Sequence, residues 1–210
     1  MSKSIGNRRE KILDKALEMF NERGIEYVGL RELAAVLDMR VSNITYYFPT
    51  KDDLVHALSM ELSKSNAGIT VTAKGITMEG FLQMLNNVFE NHVRFRCLLL
   101  SVVHLLKQNK HMAIAYNKTQ DVRNSTIMSN LKELVIGNYL RLEGKDDLQF
   151  LVSTISLISR FWISEAEISN RQWNTKKQIH HYLKLVTTLL SPYATSKGKK
   201  EMETFVDSFN

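Results

Sequence analysis

A chain of 210 residues can bury one large core or two unequal ones, and 44% apolar with 24% charged residues marks a globular protein rather than a disordered or membrane-spanning one. No apolar run approaches the roughly 18 residues a spanning helix needs, and the start MSKSIGNRREK lacks the apolar centre of a signal peptide, so a cytoplasmic location with no membrane partner is expected. The net charge of +6 does not by itself point to nucleic acid: residues 1–66 carry equal numbers of basic and acidic side chains, and the excess lies from Arg171 to Lys200, a stretch without acidic residues that reads as a solvated basic face.

Only Pro49 and Pro192 interrupt the chain, so long helices should dominate and the fold class is all-α. Asn7 is a candidate cap for a first helix over 8–23. Its residues Ile12, Leu13, Ala16, Leu17 and Phe20 follow helical spacing, and Gly24 is placed to end it. Leu30, Leu33, Ala34 and Leu37 repeat the pattern over two turns. After Asp38-Met39 a second short stripe follows, made by Val41, Ile44 and Phe48. Pro49 ends that segment, and Thr50-Lys51-Asp52-Asp53 supplies a cap and two carboxylates for a fourth helix reaching about Ser65. Residues 66–77, rich in Gly, Thr and Ala, read as a connection between a domain at 1–65 and a larger one at 78–210. Beyond it, helical blocks are expected at about 78–95, 97–108, 112–142, 147–168 and 175–191. Cys97, the lone cysteine, reads as a buried small apolar residue. The tail from Ser196 is polar enough to fray, with Met202, Phe205, Val206 and Phe209 able to form one docked turn.

At 100° per residue Val41, Ile44 and Phe48 lie within a sector of about 60°, while Ser42, Asn43, Thr45, Tyr46 and Tyr47 surround the opposite side. One face packs and the other presents hydroxyls, an amide and phenols. Such groups hydrogen-bond base edges and phosphates, whereas a catalytic face would show carboxylates, histidine or lysine. Two short helices joined by a tight turn and braced by a longer one lay the second of them in a major groove.

Ala16-Leu17-x-x-Phe20-x-x-x-Gly24, Leu30-Arg31-x-Leu33-Ala34 and Val41-Ser42-Asn43-Ile44-x-Tyr46-Tyr47-Phe48-x-x-Lys51-x-x-Leu54 resemble the TetR family of regulators over residues 8 to about 58. The resemblance implies an N-terminal three-helix helix-turn-helix DNA-binding domain followed by a helical ligand-binding and dimerisation domain. It also implies DNA contacts by Arg31, Arg40, Ser42, Asn43, Thr45, Tyr46 and Tyr47, a phosphate held by Lys51, and repression as the usual outcome. The sequence departs from the family at Asp38, where Gly is usual, at Arg40, where Ser or Thr is usual, and at Thr45, often Tyr. Asp tolerates a left-handed turn better than most residues, so the turn can survive.

In the second domain Phe150, Leu157, Phe161 and Ile168 form a stripe beside that of Leu148, Leu151, Val152, Ile155 and Trp162; Tyr182, Leu185 and Leu189 similarly flank Ile179, Leu183, Val186 and Leu190. Helices apolar on two sides suit a seam across a two-fold axis, so a homodimer reading a pseudo-palindromic double-stranded operator is expected. Phe81, Leu85, Phe89, His92, His104, Tyr116 and Trp162 combine adaptable apolar groups with scattered polar ones, and are the candidate contacts of a small-molecule effector. Paired carboxylates, metal-spaced histidines and glycine-rich phosphate loops are absent, so neither catalysis nor a cofactor or metal is expected. The competing reading is a helical architectural or adaptor protein without operator preference.

Overall fold

The computed structural model describes residues 2–70 and 74–209, with side chains from Arg8 onward. Among these residues the chain forms α1 (Ser2–Arg23), α2 (Leu30–Val36), α3 (Val41–Thr45), α4 (Lys51–Ile69), α5 (Met78–Arg94), α6 (Arg96–Leu100), α7 (Val102–Gln108), α8 (Lys110–Ile136), α9 (Lys145–Ser169), α10 (Thr175–Leu190) and α11 (Ser196–Asp207). A 3₁₀ turn at Ser191–Tyr193 and a single antiparallel bridge between Leu140 and Ala194 complete the regular structure. The architecture is all-α.

Two compact units divide the chain. The first comprises Met1–Lys64 and Phe95–Ala115. Its core gathers Ile12, Leu13, Ala16, Leu17 and Phe20 of α1 with Leu33, Ala34, Ile44, Phe48, Leu54 and Leu58, the positions expected from helical spacing. α1 begins at Ser2, not at residue 8, so Asn7 lies within the helix, and its side chain falls outside the described residues. One glycine, Gly6, costs a helix interior only about 1 kcal/mol, too little to stop it. Gly24 ends α1 at φ 92°, its N–H donating to the Phe20 carbonyl at 2.9 Å. α2 closes in a Schellman motif: Asp38 takes φ 51°, its N–H reaches Ala35 O at 3.2 Å, and Met39 N–H reaches Ala34 O at 2.9 Å. Thr50 caps α4 reciprocally with Asp53. The Thr50 N–H donates to the carboxylate at 2.9 Å, and the Asp53 N–H returns to the Thr50 hydroxyl at 3.1 Å.

The segment 95–115 joins these helices, although the sequence placed it in the domain 78–210. Cys97, Leu98, Leu99 and Val102 are buried, the Cys97 N–H donates to Asn21 Oδ1 at 3.0 Å, and Ser101 Oγ donates to Glu26 at 3.0 Å. These are long-range contacts to the end of α1 and the loop after it, which helical spacing cannot reveal.

The second unit comprises Ser65–Arg94 and Tyr116–Asn210. α5 is its central helix, burying Met78, Phe81, Leu82, Leu85, Val88 and Phe89 against α9, α10 and α11. The connection expected at 66–77 is shorter, because α4 continues through Asn66 to Ile69; residues 71–73 of it fall outside the described residues. The tail is more than a docked turn. Thr195 caps α11 by accepting from Gly198 N–H at 3.2 Å, and Met202 and Phe205 are buried at helical spacing. Glu201 also accepts the Glu79 N–H at 3.0 Å, satisfying a free amide in the first turn of α5.

Candidate nucleic-acid interface and effector site

In the first unit α3 is held from behind by Ile44, fully buried, and Phe48, whose ring is covered by the Arg9 guanidinium at 5.1 Å. Val41 is half-buried. With that face fixed, Ser42, Asn43 and Tyr46 are turned outward, Tyr46 with 77% of its surface exposed, while Thr45 and Tyr47 are half-buried beside them. Tyr46 and Tyr47 pack edge to face with ring centres 5.0 Å apart, an arrangement that limits their rotamers and prepares two phenols on one surface. The Thr45 hydroxyl lies 3.4 Å from Ser42 O.

Arg40 occupies the N-cap position of α3 without a side-chain cap hydrogen bond, and Arg31 lies in the first turn of α2; both are exposed. Neither makes an ion pair or a side-chain hydrogen bond among the described residues, in contrast to Arg23, which pairs with Glu32. Lys51 is half-buried at the start of α4, and its Nζ donates to the Glu26 carbonyl at 3.3 Å. The seven residues assigned to DNA by the resemblance, with Lys51, thus belong to α2, the N-cap of α3, α3 itself, the turn after it and the first residue of α4. The arrangement offers two free guanidiniums for phosphates and a rigid polar face for base edges.

In the second unit three of the predicted effector residues meet. Phe89 stacks on Trp162 with centroids 5.1 Å apart at 17°, and His92 lies beside Phe89 at 6.2 Å and 20°. The Trp162 indole N–H donates to His92 Nδ1 at 3.3 Å. A tryptophan N–H only donates, so Nδ1 is the acceptor in that bond, and the other ring nitrogen, Nε2, lies 3.3 Å from Nδ2 of Asn66. Burial, and secondarily the positive charge of Arg123, push the His92 pKa down to about 3, so this ring is neutral at physiological pH. Phe81 and Leu85 are buried on the same helix, α5. Tyr116 is half-buried on α8, with Arg123 Cζ 5.2 Å above its ring. His104 is an exposed residue of α7 and belongs to the first unit.

Sequence reasoning passed over Gln120 and Arg123 of α8, which share a helix face with Tyr116. The signal available was the recurrence of polar residues at the spacing that ends in buried Leu134. Among the described residues no group of histidine, cysteine or carboxylates could hold a metal ion, and no helix is long and apolar enough to cross a membrane.

Comparison with known proteins agrees along most of the chain. Residues 12–58 match the family described as bacterial regulatory proteins, tetR family, and residues 60–202 match that described as bacterial transcriptional repressor. The chain is 27% identical over 187 residues to the probable HTH-type transcriptional regulator YttP of Bacillus subtilis (strain 168), covering 88% of this chain and 76% of that protein. It is 30% identical over 92 residues to the class D tetracycline repressor protein of Escherichia coli, covering 44% of this chain and 39% of that protein. A crystal structure of a TetR-family transcriptional regulator from Marinobacter aquaeolei VT8 matches with a TM-score of 0.88 at 20% identity, over 96% of this chain and 98% of that one. The helix-turn-helix, the helical second unit and these matches agree, and the chain belongs to the TetR family of DNA-binding transcriptional regulators.

Proposed function

We propose that this regulator is a homodimeric repressor that reads a pseudo-palindromic operator through α3 and leaves it when a small molecule binds the second unit. The observation that carries the reading is the outward polar face of Ser42, Asn43, Thr45, Tyr46 and Tyr47 on a helix anchored by Ile44 and Phe48. Arg31, Arg40 and Lys51 supply phosphate contacts, which set position, and the α3 face supplies base contacts, which set sequence.

Dimerisation is supported by apolar surface left uncovered on one chain. Phe150, Leu157 and Ile168 lie along one line of α9 and are 52%, 56% and 84% exposed; Leu185 of α10 is 43% exposed. A two-fold axis brings this stripe onto its own copy. Effector binding is supported by the Phe89–His92–Trp162 cluster, with Phe81, Leu85 and Tyr116 nearby in the chain's order on α5 and α8; the related tetracycline repressor is named for a small molecule. His92 contacts Asn66, a residue of α4, the helix whose earlier part, Lys51–Lys64, belongs to the first unit. A ligand that prefers one setting of that helix end changes operator affinity by its coupling free energy, typically about 1–3 kcal/mol.

Selection of bound DNA from a random pool tests the reading: an inverted repeat with half-site centres about one helical turn apart, or a multiple of it, is expected. Recovery of unrelated sequences would favour the architectural alternative.

A further inference from the structure

In the second unit α8 and α9 are pinned together where Ser156 Oγ donates to Asn124 Oδ1 at 2.7 Å. Around that point polar atoms are shielded from solvent without a hydrogen-bond partner: Gln120 Oε1, Arg123 Nε and Asn130 Oδ1 on α8, and Ser159 Oγ and Arg160 Nε on α9. Folded proteins rarely leave such atoms unmatched, and here they are concentrated on two helices. At 100° per residue Tyr116, Gln120, Arg123 and Asn130 fall within about 80° of one another on α8, so they line one face.

Two of the five residues are guanidiniums. Burial pulls the Arg123 pKa below its ordinary range, the phenol of Tyr116 opposes that pull, and the charge of Arg160 adds to it. Among the described residues neither arginine has a carboxylate partner. The two carboxylates that follow Arg160 on α9 are engaged elsewhere, Glu165 by the Tyr182 hydroxyl and Glu167 by Arg171 at 3.5 Å. Two neighbouring like charges, each with its Nε shielded from water and neither balanced by a carboxylate, are a poor structural element and a good receptor for an anion. Arg123 bears on His92, which lies beside Phe89 and accepts from the Trp162 indole, so this guanidinium lies near the flat wall of Phe89 and Trp162, and Arg160 lies near enough to Arg123 to act on its charge.

We infer that the effector is an organic carboxylate, its head group held between Arg123 and Arg160 and its apolar body lying on Phe89 and Trp162. Gln120 Oε1 and Asn130 Oδ1, both acceptors, favour a ligand that also carries a hydroxyl or N–H donor. This rests on the effector reading above and gives it a chemical class.

Thermal unfolding of the full chain tests it, without DNA, against three matched pairs at equal millimolar concentration: benzoate and benzamide, salicylate and salicylamide, octanoate and octanamide, with inorganic phosphate alongside. At least one acid should raise the melting temperature while its neutral amide does not, and the shift should vanish in Arg123→Gln and in Arg160→Gln. Without any anion both variants should melt no lower than the parent, since each removes a positive charge that no carboxylate balances. The inference is overturned if amides act as well as acids, if the acid shift survives in both variants, if phosphate alone gives the full effect, or if no acid binds. Variants that melt below the parent or fail to fold would also overturn it, marking the guanidiniums as structural. An acid that binds as described yet leaves operator affinity unchanged would sink the effector reading while keeping the anion site.

Discussion

Asn43 and Tyr46 reach outward from a helix held from behind by the buried Ile44 and Phe48, so truncating either removes a contact without disturbing the core. Asn43→Ala or Tyr46→Ala should cost about 1–3 kcal/mol of operator affinity and little on random DNA, measured by titration of both. Lys51→Ala should weaken both DNAs alike and lower the slope of log affinity against log salt by about one, the loss of one phosphate contact. Because Lys51 Nζ also donates to the Glu26 carbonyl at 3.3 Å, a small stability loss, below about 1 kcal/mol, should accompany it. Equal operator affinity in all three variants would exclude this surface as the reader. His92 gives a pH prediction. Its folded pKa of about 3 lies below the ordinary 6.5, so the unfolded chain binds the extra proton between these values, and stability falls as pH drops below 6.5. At 1.36 kcal/mol per unit the fall from pH 7 to pH 5 is about 2 kcal/mol. Urea unfolding at the two pH values should show it in the parent and a flatter dependence in His92→Gln; equal slopes would mean the ring is not held neutral.

At the scale of elements, α11 depends on a close approach and a cap. A Cβ on Gly198 would lie 2.2 Å from the Tyr139 carbonyl oxygen, so Gly198→Ala must displace the helix despite alanine's better propensity, and should destabilise by about 1–3 kcal/mol in urea. Thr195→Ala removes both the cap on Gly198 and the hydroxyl donation to Asn138 O at 2.7 Å, and should cost about 1–2 kcal/mol. Asp38→Gly should do the reverse, stabilising by up to about 1 kcal/mol, because φ 51° strains any residue with a Cβ. These positions also show what the sequence carried. The stripe from Ile12 to Phe20, the stop at Gly24, the turn at Asp38 and the cap at Thr50 are local signals, each written within a few residues, and each is found in place. The attachment of 95–115 to α1 was not legible, since Asn21 and Cys97 meet across most of a hundred intervening residues. α11 was underread because its three basic residues, Lys197, Lys199 and Lys200, mask the apolar line of Met202 and Phe205. The residues expected at an effector site were read from residue type alone. The aromatic members were visible by type, whereas His104 shared their composition but not their unit, and the arginines that bury their Nε atoms looked like ordinary surface charge.

For the whole molecule the uncovered stripe of α9 is the surface on which the proposed dimer rests. Leu157→Glu and Ile168→Glu alter side chains that are more than half exposed on one chain, so the subunit fold should persist while like charges meet across the two-fold axis. Light scattering at micromolar concentration should give about twice the chain mass of 24.2 kDa for the parent and a single chain mass for the double variant. Operator binding should fall with it, since two linked heads engage a palindrome at an effective concentration a lone head lacks. A monomeric parent would remove both expectations.

Cys97 turns the first unit into a reporter of its own openings. It is the chain's one cysteine, 2% exposed, and burial pushes its thiol pKa up to about 12. Near pH 8 only about one thiol in ten thousand is ionised while it stays buried. Alkylation must therefore pass through a transient state in which α6 has left α1, and its rate is the free-thiol rate multiplied by the population of that state. Any ligand that binds only the closed head lowers that population by its own mass-action factor. Operator DNA should then protect a thiol it never touches, and the degree of protection, followed by mass spectrometry as a function of DNA concentration, is itself a binding curve.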